Sequence, residues 1–118
     1  MNKLKLALIT GATKGIGRET SKTFAEAGWD LILLARNIDS LDKLKQELSI
    51  TGCKIHTINC DLSKPSEIED SLSKITKICG YPTVLINNAG FAYNGDLIGM
   101  PLEQWQEIIQ VNLTSVFQ

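Results

Sequence analysis

The chain has 118 residues, and its 12 lysines and arginines against 13 aspartates and glutamates leave a formal net charge of -1. A balance so near zero creates no field for nucleic acid or an anionic membrane, and no apolar run approaches the roughly 20 residues of a membrane-spanning helix. Hydrophobic residues at 43% and charged residues at 21% are the proportions of one small globular domain with a core.

Strand and helix patterns alternate from the N-terminus. Met1-Asn2-Lys3-Leu4-Lys5 and the run Leu6 to Ile9 have the outline of a signal peptide, but the run is too short and enters a glycine loop with no cleavage-type region. It reads as a buried first strand, Leu4–Thr10, of a cytoplasmic protein. A helix follows over Ile16–Ala27, closed by Gly28. Asp30–Ala35 contains the unbroken run Leu31-Ile32-Leu33-Leu34, the signature of a strand buried on both faces. Asn37 caps a second helix that reaches about Leu48, with Leu41, Leu44 and Leu48 on one stripe; Thr51-Gly52 ends it. Lys54–Asn59 is a third strand. Ser63 is expected to cap a third helix, with Pro65 in its first turn and Ile68, Leu72, Ile75 and Ile78 at three- and four-residue steps, before Gly80 stops it. Thr83–Ile86 is a fourth strand and Phe91–Met100 a loop. Pro101 opens a fourth helix that continues to Gln118 with no stop signal. This alternation predicts an α/β fold with a parallel sheet and right-handed crossovers, in strand order 3-2-1-4, with ligands beyond the carboxyl ends of strands one and four.

The chemistry starts at Thr10-Gly11-Ala12-Thr13-Lys14-Gly15-Ile16-Gly17. A strand feeds this loop and a helix leaves it, the context in which a glycine-rich loop holds a dinucleotide. Gly11 permits the sharp turn, Gly15 leaves a pyrophosphate unobstructed, and Gly17 lets the helix pack closely. The helix's first N–H groups lack internal partners and point at the anion. The spacing is Gly-x-x-x-Gly-x-Gly. It is not a Walker-type loop, because Ile16 stands where that motif needs its second glycine.

Arg36 follows the second strand, roughly 20 residues past the loop, where an NAD-binding protein places an acid on the ribose 2′-hydroxyl. A guanidinium there attracts a 2′-phosphate instead. With Lys14 and the Thr13 hydroxyl nearby, NADP(H) is favoured over NAD(H). Asp61-Leu62 follows the third strand, where a carboxylate can accept from an adenine amino group or serve as a turn residue. Asn87-Asn88-Ala89-Gly90 follows the fourth strand; its amides can tie neighbouring strands together and its glycine leaves room for a ribose. Asn112 lies within the fourth helix, where an amide can hold a water or a bent backbone, or only support packing.

Other residues carry less. Cys53, Cys60 and Cys79 form no Cys-x-x-Cys pair and read as small buried thiols. His56, the only histidine, has no ligand-spaced partner, so no metal is expected. Glu103 and Glu107 read as a solvated face, Trp29 and Trp105 as packing residues, and Ser115 has no histidine partner by any motif.

Together, the loop Thr10–Gly17, Asp61-Leu62, Asn87-Asn88-Ala89-Gly90 and Val111-Asn112-Leu113-Thr114 resemble, in order and spacing, the short-chain dehydrogenase/reductase family, in its smaller single-domain branch and over the whole chain. The resemblance implies a Rossmann-type doubly wound sheet and hydride transfer between NAD(P) and a carbonyl or alcohol. It implies that Gly11, Gly15, Ile16 and Gly17 line the pyrophosphate and that Thr13, Lys14 and Arg36 select the 2′-phosphate. Asp61 and Leu62 match the adenine site, and Asn88, Ala89 and Gly90 the ribose side. Asn112 matches the asparagine of the catalytic tetrad, whose main chain helps hold a proton-relay water. The loop and Arg36 are similar to those of many NADPH-dependent members, 3-oxoacyl-thioester reductases included.

The family's Ser and Tyr-x-x-x-Lys, expected after Asn112, have no match here: Tyr81 and Tyr93 are followed four residues on by Leu85 and Leu97. Residues 1–118 are therefore expected to be a partial NAD(P)-binding domain, the N-terminal half of a reductase, inactive alone. The alternative is a non-catalytic nucleotide-binding or degenerate fragment. A full-length form would act on a small-molecule carbonyl or alcohol and could form a homo-oligomer through the fourth helix.

Overall fold

The computed structural model describes residues 4–118. Four parallel strands, β1 (Leu6–Thr10), β2 (Asp30–Ala35), β3 (Ile55–Asn59) and β4 (Val84–Ile86), form one sheet in the order β3-β2-β1-β4, as the alternation predicted. Between them lie α1 (Gly15–Glu26), α2 (Ile38–Leu48) and α3 (Pro65–Ile78), and α4 (Leu102–Ile109) follows β4. The first strand starts at Leu6, not Leu4; the others begin within one residue of expectation.

The unbroken run of β2 is central because each alternate side chain feeds a different core. Leu31 and Leu33 join Ala7, Ile9, Ala25, Leu41, Leu44 and Leu48, so α1 and α2 cover one face. Ile32 and Leu34 join Leu6, Leu8, Ile58, Ile68 and Ile75, so α3 covers the other. Full burial of such a side chain stabilises by about 2 kcal/mol, which makes β2 the most committed strand. Trp29 packs edge-on against Phe24, ring centroids 5.3 Å apart.

Three local expectations change. Ser63 does not cap α3: the cap position is Lys64, with no side-chain bond, because Ser63 donates both its N–H and its hydroxyl to Asp61. On α3 the inward stripe is Ile68, Ser71 and Ile75, while Leu72 and Ile78 face solvent. The fourth helix is interrupted. After Ile109 it widens into a π turn, Gln110–Thr114, before a last α turn, Ser115–Phe117. Leu102, Trp105, Leu113 and Phe117 on this arm are exposed, so Trp105 packs less than its residue type suggested. Along β4's free edge Leu85 is 53% exposed. No helix among the described residues is long and apolar enough to cross a membrane.

Candidate functional site

Beyond the carboxyl ends of the strands lies a cleft of 510 Å³, within the size range of small-molecule sites. Every strand end contributes. Gly11, Thr13 and Lys14 follow β1; Arg36 follows β2; Asp61 and Leu62 follow β3; Asn88, Ala89 and Gly90 follow β4. These are nine of the sequence-predicted site residues, gathered from four separate motifs. Gly15, Ile16, Gly17 and Asn112 do not line the cleft.

The glycine loop is shaped by close approach. A Cβ on Gly17 would lie 2.1 Å from the Gly11 carbonyl oxygen and 2.5 Å from Asn88 Nδ2, so α1 starts in contact with the turn itself. Gly11 has φ +61, and a Cβ there would meet Asn88 Nδ2 at 2.9 Å. Gly15 differs: its φ is +50, yet nothing lies within 4 Å of where its Cβ would be. That open space sits over the N-terminus of α1, whose cap, Lys14, makes no side-chain bond to the first turn. Ile16 beside it is exposed.

Asn88 ties β4 to β1. Its Nδ2 donates to the carbonyls of Thr10 and Gly11 at 3.2 and 3.1 Å. In return Thr10 Oγ1 accepts from the N–H groups of Asn88 and Ala89 at 3.1 and 3.0 Å. Thr10 therefore belongs to the site's framework. Thr10 opens the loop motif in the sequence, but nothing there assigned its hydroxyl a role, because threonine is also an ordinary strand former.

Asn112 stands behind the cleft wall. Its Oδ1 accepts from the Phe91 N–H at 3.1 Å and its Nδ2 donates to the Phe91 carbonyl at 2.8 Å. The side chain thus pairs with a backbone as another strand would, from inside the π turn. Single-turn π segments inside α-helices are frequent at functional sites. Gln110, in the same turn, donates to the Leu62 carbonyl at 3.3 Å, so one irregular turn braces two walls. The neighbouring Val111 lines the cleft between them.

The charges follow from these contacts. Burial alone raises the Asp61 carboxyl, but the Ser63 hydroxyl and N–H, with Lys64 and Arg36 adding positive charge, hold it below its ordinary value of 3.8. A carboxyl depressed on folding adds stability above its unfolded pKa and loses it as pH falls through the folded value. Wild-type stability is therefore expected to decline below about pH 4 partly through Asp61. Urea unfolding across that range checks this, since Asp61→Asn should flatten the decline. Burial also raises the Cys60 and Cys79 thiols, over the opposing Ser71 bond at Cys60, so both stay protonated at neutral pH. No group of three or more metal-ligating side chains occurs among the described residues.

The family model described as short chain dehydrogenase matches residues 5–118. The chain is 36% identical over 113 residues to dehydrogenase/reductase SDR family member 7B of Bos taurus, across 91% of this chain and 35% of that protein. It is 35% identical over 114 residues to the 3-oxoacyl-acyl-carrier-protein reductase FabG of Escherichia coli, across 97% of this chain and 46% of that one. Its fold is similar to a short-chain dehydrogenase from Sphingobium yanoikuyae in complex with NADPH, with TM-score 0.89 and 32% identity, covering 97% of this chain and 45% of that one. The chain thus spans less than half the length of each of these three proteins.

Proposed function

The chain belongs to the short-chain dehydrogenase family, and from that premise we propose that residues 1–118 form the nucleotide-binding part of an NADP(H)-dependent oxidoreductase acting on a carbonyl or alcohol substrate. One observation carries the reading: a single cleft joins the glycine loop, two cationic side chains and the loops after β3 and β4. The residues fit the cofactor. The space above Gly15 suits a pyrophosphate at a helix N-terminus. Lys14 and Arg36 suit a phosphate dianion, for which Arg36 offers paired donors. The solved relative from Sphingobium holds NADPH, which supports the same choice.

Bound there, the nicotinamide supplies or accepts the hydride. The chain's own residues bind and orient. Gly11, Gly15, Ile16 and Gly17 would present backbone to the pyrophosphate. Thr13, Lys14 and Arg36 would hold the 2′-phosphate, Asp61 and Leu62 the adenine, and Asn88, Ala89 and Gly90 the ribose. Asn112 would fix the π turn, whose main chain would hold a relay water. No proton transfer to substrate is assigned to these residues, because neither tyrosine is followed by lysine four positions on. The second reading is a non-catalytic nucleotide-binding or degenerate fragment. The free thiols Cys53, Cys60 and Cys79 suit a reducing cytoplasm, and the exposed apolar side of α4 suits contact with another subunit.

The test is calorimetric titration of this chain with NADP+ and NAD+, paired with thermal melts. NADP+ is expected to bind more tightly and to raise the melting temperature. A cooperatively folded chain that binds neither nucleotide would overturn the reading. Oxidation of NADPH by this chain with a carbonyl substrate would decide against the non-catalytic alternative.

A further inference from the structure

β2 and β3 pair in parallel as far as Ala35 opposite Asn59, and the Cys60 N–H donates to the Ala35 carbonyl at 3.0 Å. Asn59 carries the pairing one residue further with its side chain: Nδ2 donates to the Arg36 carbonyl at 2.6 Å. On the other side of Arg36, Asn37 is committed to α2, its Oδ1 accepting from the Ser40 N–H at 2.9 Å. Arg36 is thus held between a strand end and a helix cap, and its own carbonyl is fixed by an amide from the neighbouring strand. Asn59 is exposed, so packing does not explain it. Asparagine is also disfavoured in strands, so propensity does not explain it either.

We propose that Asn59 is a positioning residue for nucleotide selection: its amide locks the Arg36 backbone so that the guanidinium is presented to the 2′-phosphate of NADP(H). The inference rests on the cofactor reading above. An exposed arginine on an untethered turn must be ordered when the phosphate binds. One whose backbone is already fixed loses less freedom and binds more tightly. Asn59 itself does not line the cleft. It acts through Arg36, and the double substitution can reveal that.

The experiment is titration of NADP+ and NAD+ into the wild-type chain, Asn59→Ala, Asn59→Asp, Arg36→Ala and Asn59→Ala/Arg36→Ala. Asn59→Asp keeps the side-chain shape and removes the donor, which guards against a folding artefact in the alanine variant. Either single Asn59 change is expected to lower NADP+ affinity about fivefold, the scale of one net hydrogen bond, and NAD+ affinity far less. In the Arg36→Ala background Asn59→Ala should cause no further loss, the signature of coupled residues. Equal losses for both nucleotides, or a loss that persists without Arg36, overturn the positioning role, as does an NADP+ preference retained in both Asn59 variants. A wild-type chain with no preference for NADP+ overturns the cofactor reading and Asn59's role with it.

Discussion

Gly17→Ala is expected to cost at least about 3 kcal/mol of stability, near the upper end of overpacking effects, and to abolish nucleotide binding. In an ordinary helix the change would stabilise, since alanine is the better helix former by about 1 kcal/mol. Here the added methyl would lie 2.1 Å from the Gly11 carbonyl oxygen and 2.9 Å from its carbon. Neither can yield like a flexible side chain. The third obstacle, Asn88 Nδ2 at 2.5 Å, is already committed to the carbonyls of Thr10 and Gly11. Either the turn opens and breaks the tie between β1 and β4, or α1 lifts away and exposes Ser21 and Ala25, the buried residues of its inner face. Urea and thermal unfolding measure the loss, expected as a drop of about 10 °C or more in Tm. Gly15→Ala is the contrast. With φ +50 and no neighbour within 4 Å, it should cost only about 1–2 kcal/mol of backbone strain while still impairing binding. Gly17→Ala with wild-type stability would mean that α1 does not approach the turn as the structure has it.

That contrast also shows what the chain's sequence could and could not disclose. Gly17 was legible because three glycines between an apolar run and a helical pattern have few alternative uses. The β2 run was legible because four adjacent apolar residues leave a strand no solvent face. Asn112 was visible as an anomaly, an amide between Val111 and Leu113, but the π turn was not. A widened turn depends on a partner 21 residues earlier, the Phe91 backbone, and on the Ser115 hydroxyl donating to the Val111 carbonyl, neither of which leaves a periodicity. Ser63 failed as a cap for a similar reason. Serine and aspartate both compete for free backbone donors, and two residues of separation let Asp61 take the Ser63 groups. The stripe on α3 failed because the inward face runs through Ser71 and leaves Leu72 at its margin, 42% exposed.

Arg36→Asp is expected to lower NADP+ affinity by about 100-fold and to leave NAD+ binding intact or improved. Loss of a charge-assisted contact accounts for about 1.5–3 kcal/mol, and the new carboxylate adds repulsion toward a phosphate dianion. For NAD+ the sign reverses, since an acid at this point of the fold can accept from the ribose 2′-hydroxyl. Stability should change little. Arg36 is exposed, and Asn59 holds its main-chain carbonyl, not its side chain. Two secondary effects separate this account from general damage. Removing the guanidinium takes away one of the charges that lower the Asp61 carboxyl, so that group should titrate at higher pH in the variant. The salt dependence of NADP+ binding should also weaken, because Lys14 alone then faces the phosphate and screening has less attraction to remove. Titrations with both nucleotides at two ionic strengths measure all but the Asp61 shift, which carboxyl-detected NMR follows. Equal losses for NADP+ and NAD+ would move the 2′-phosphate away from Arg36. The cleft would then have to recognise the nucleotide through Lys14 and the glycine loop, which both cofactors share.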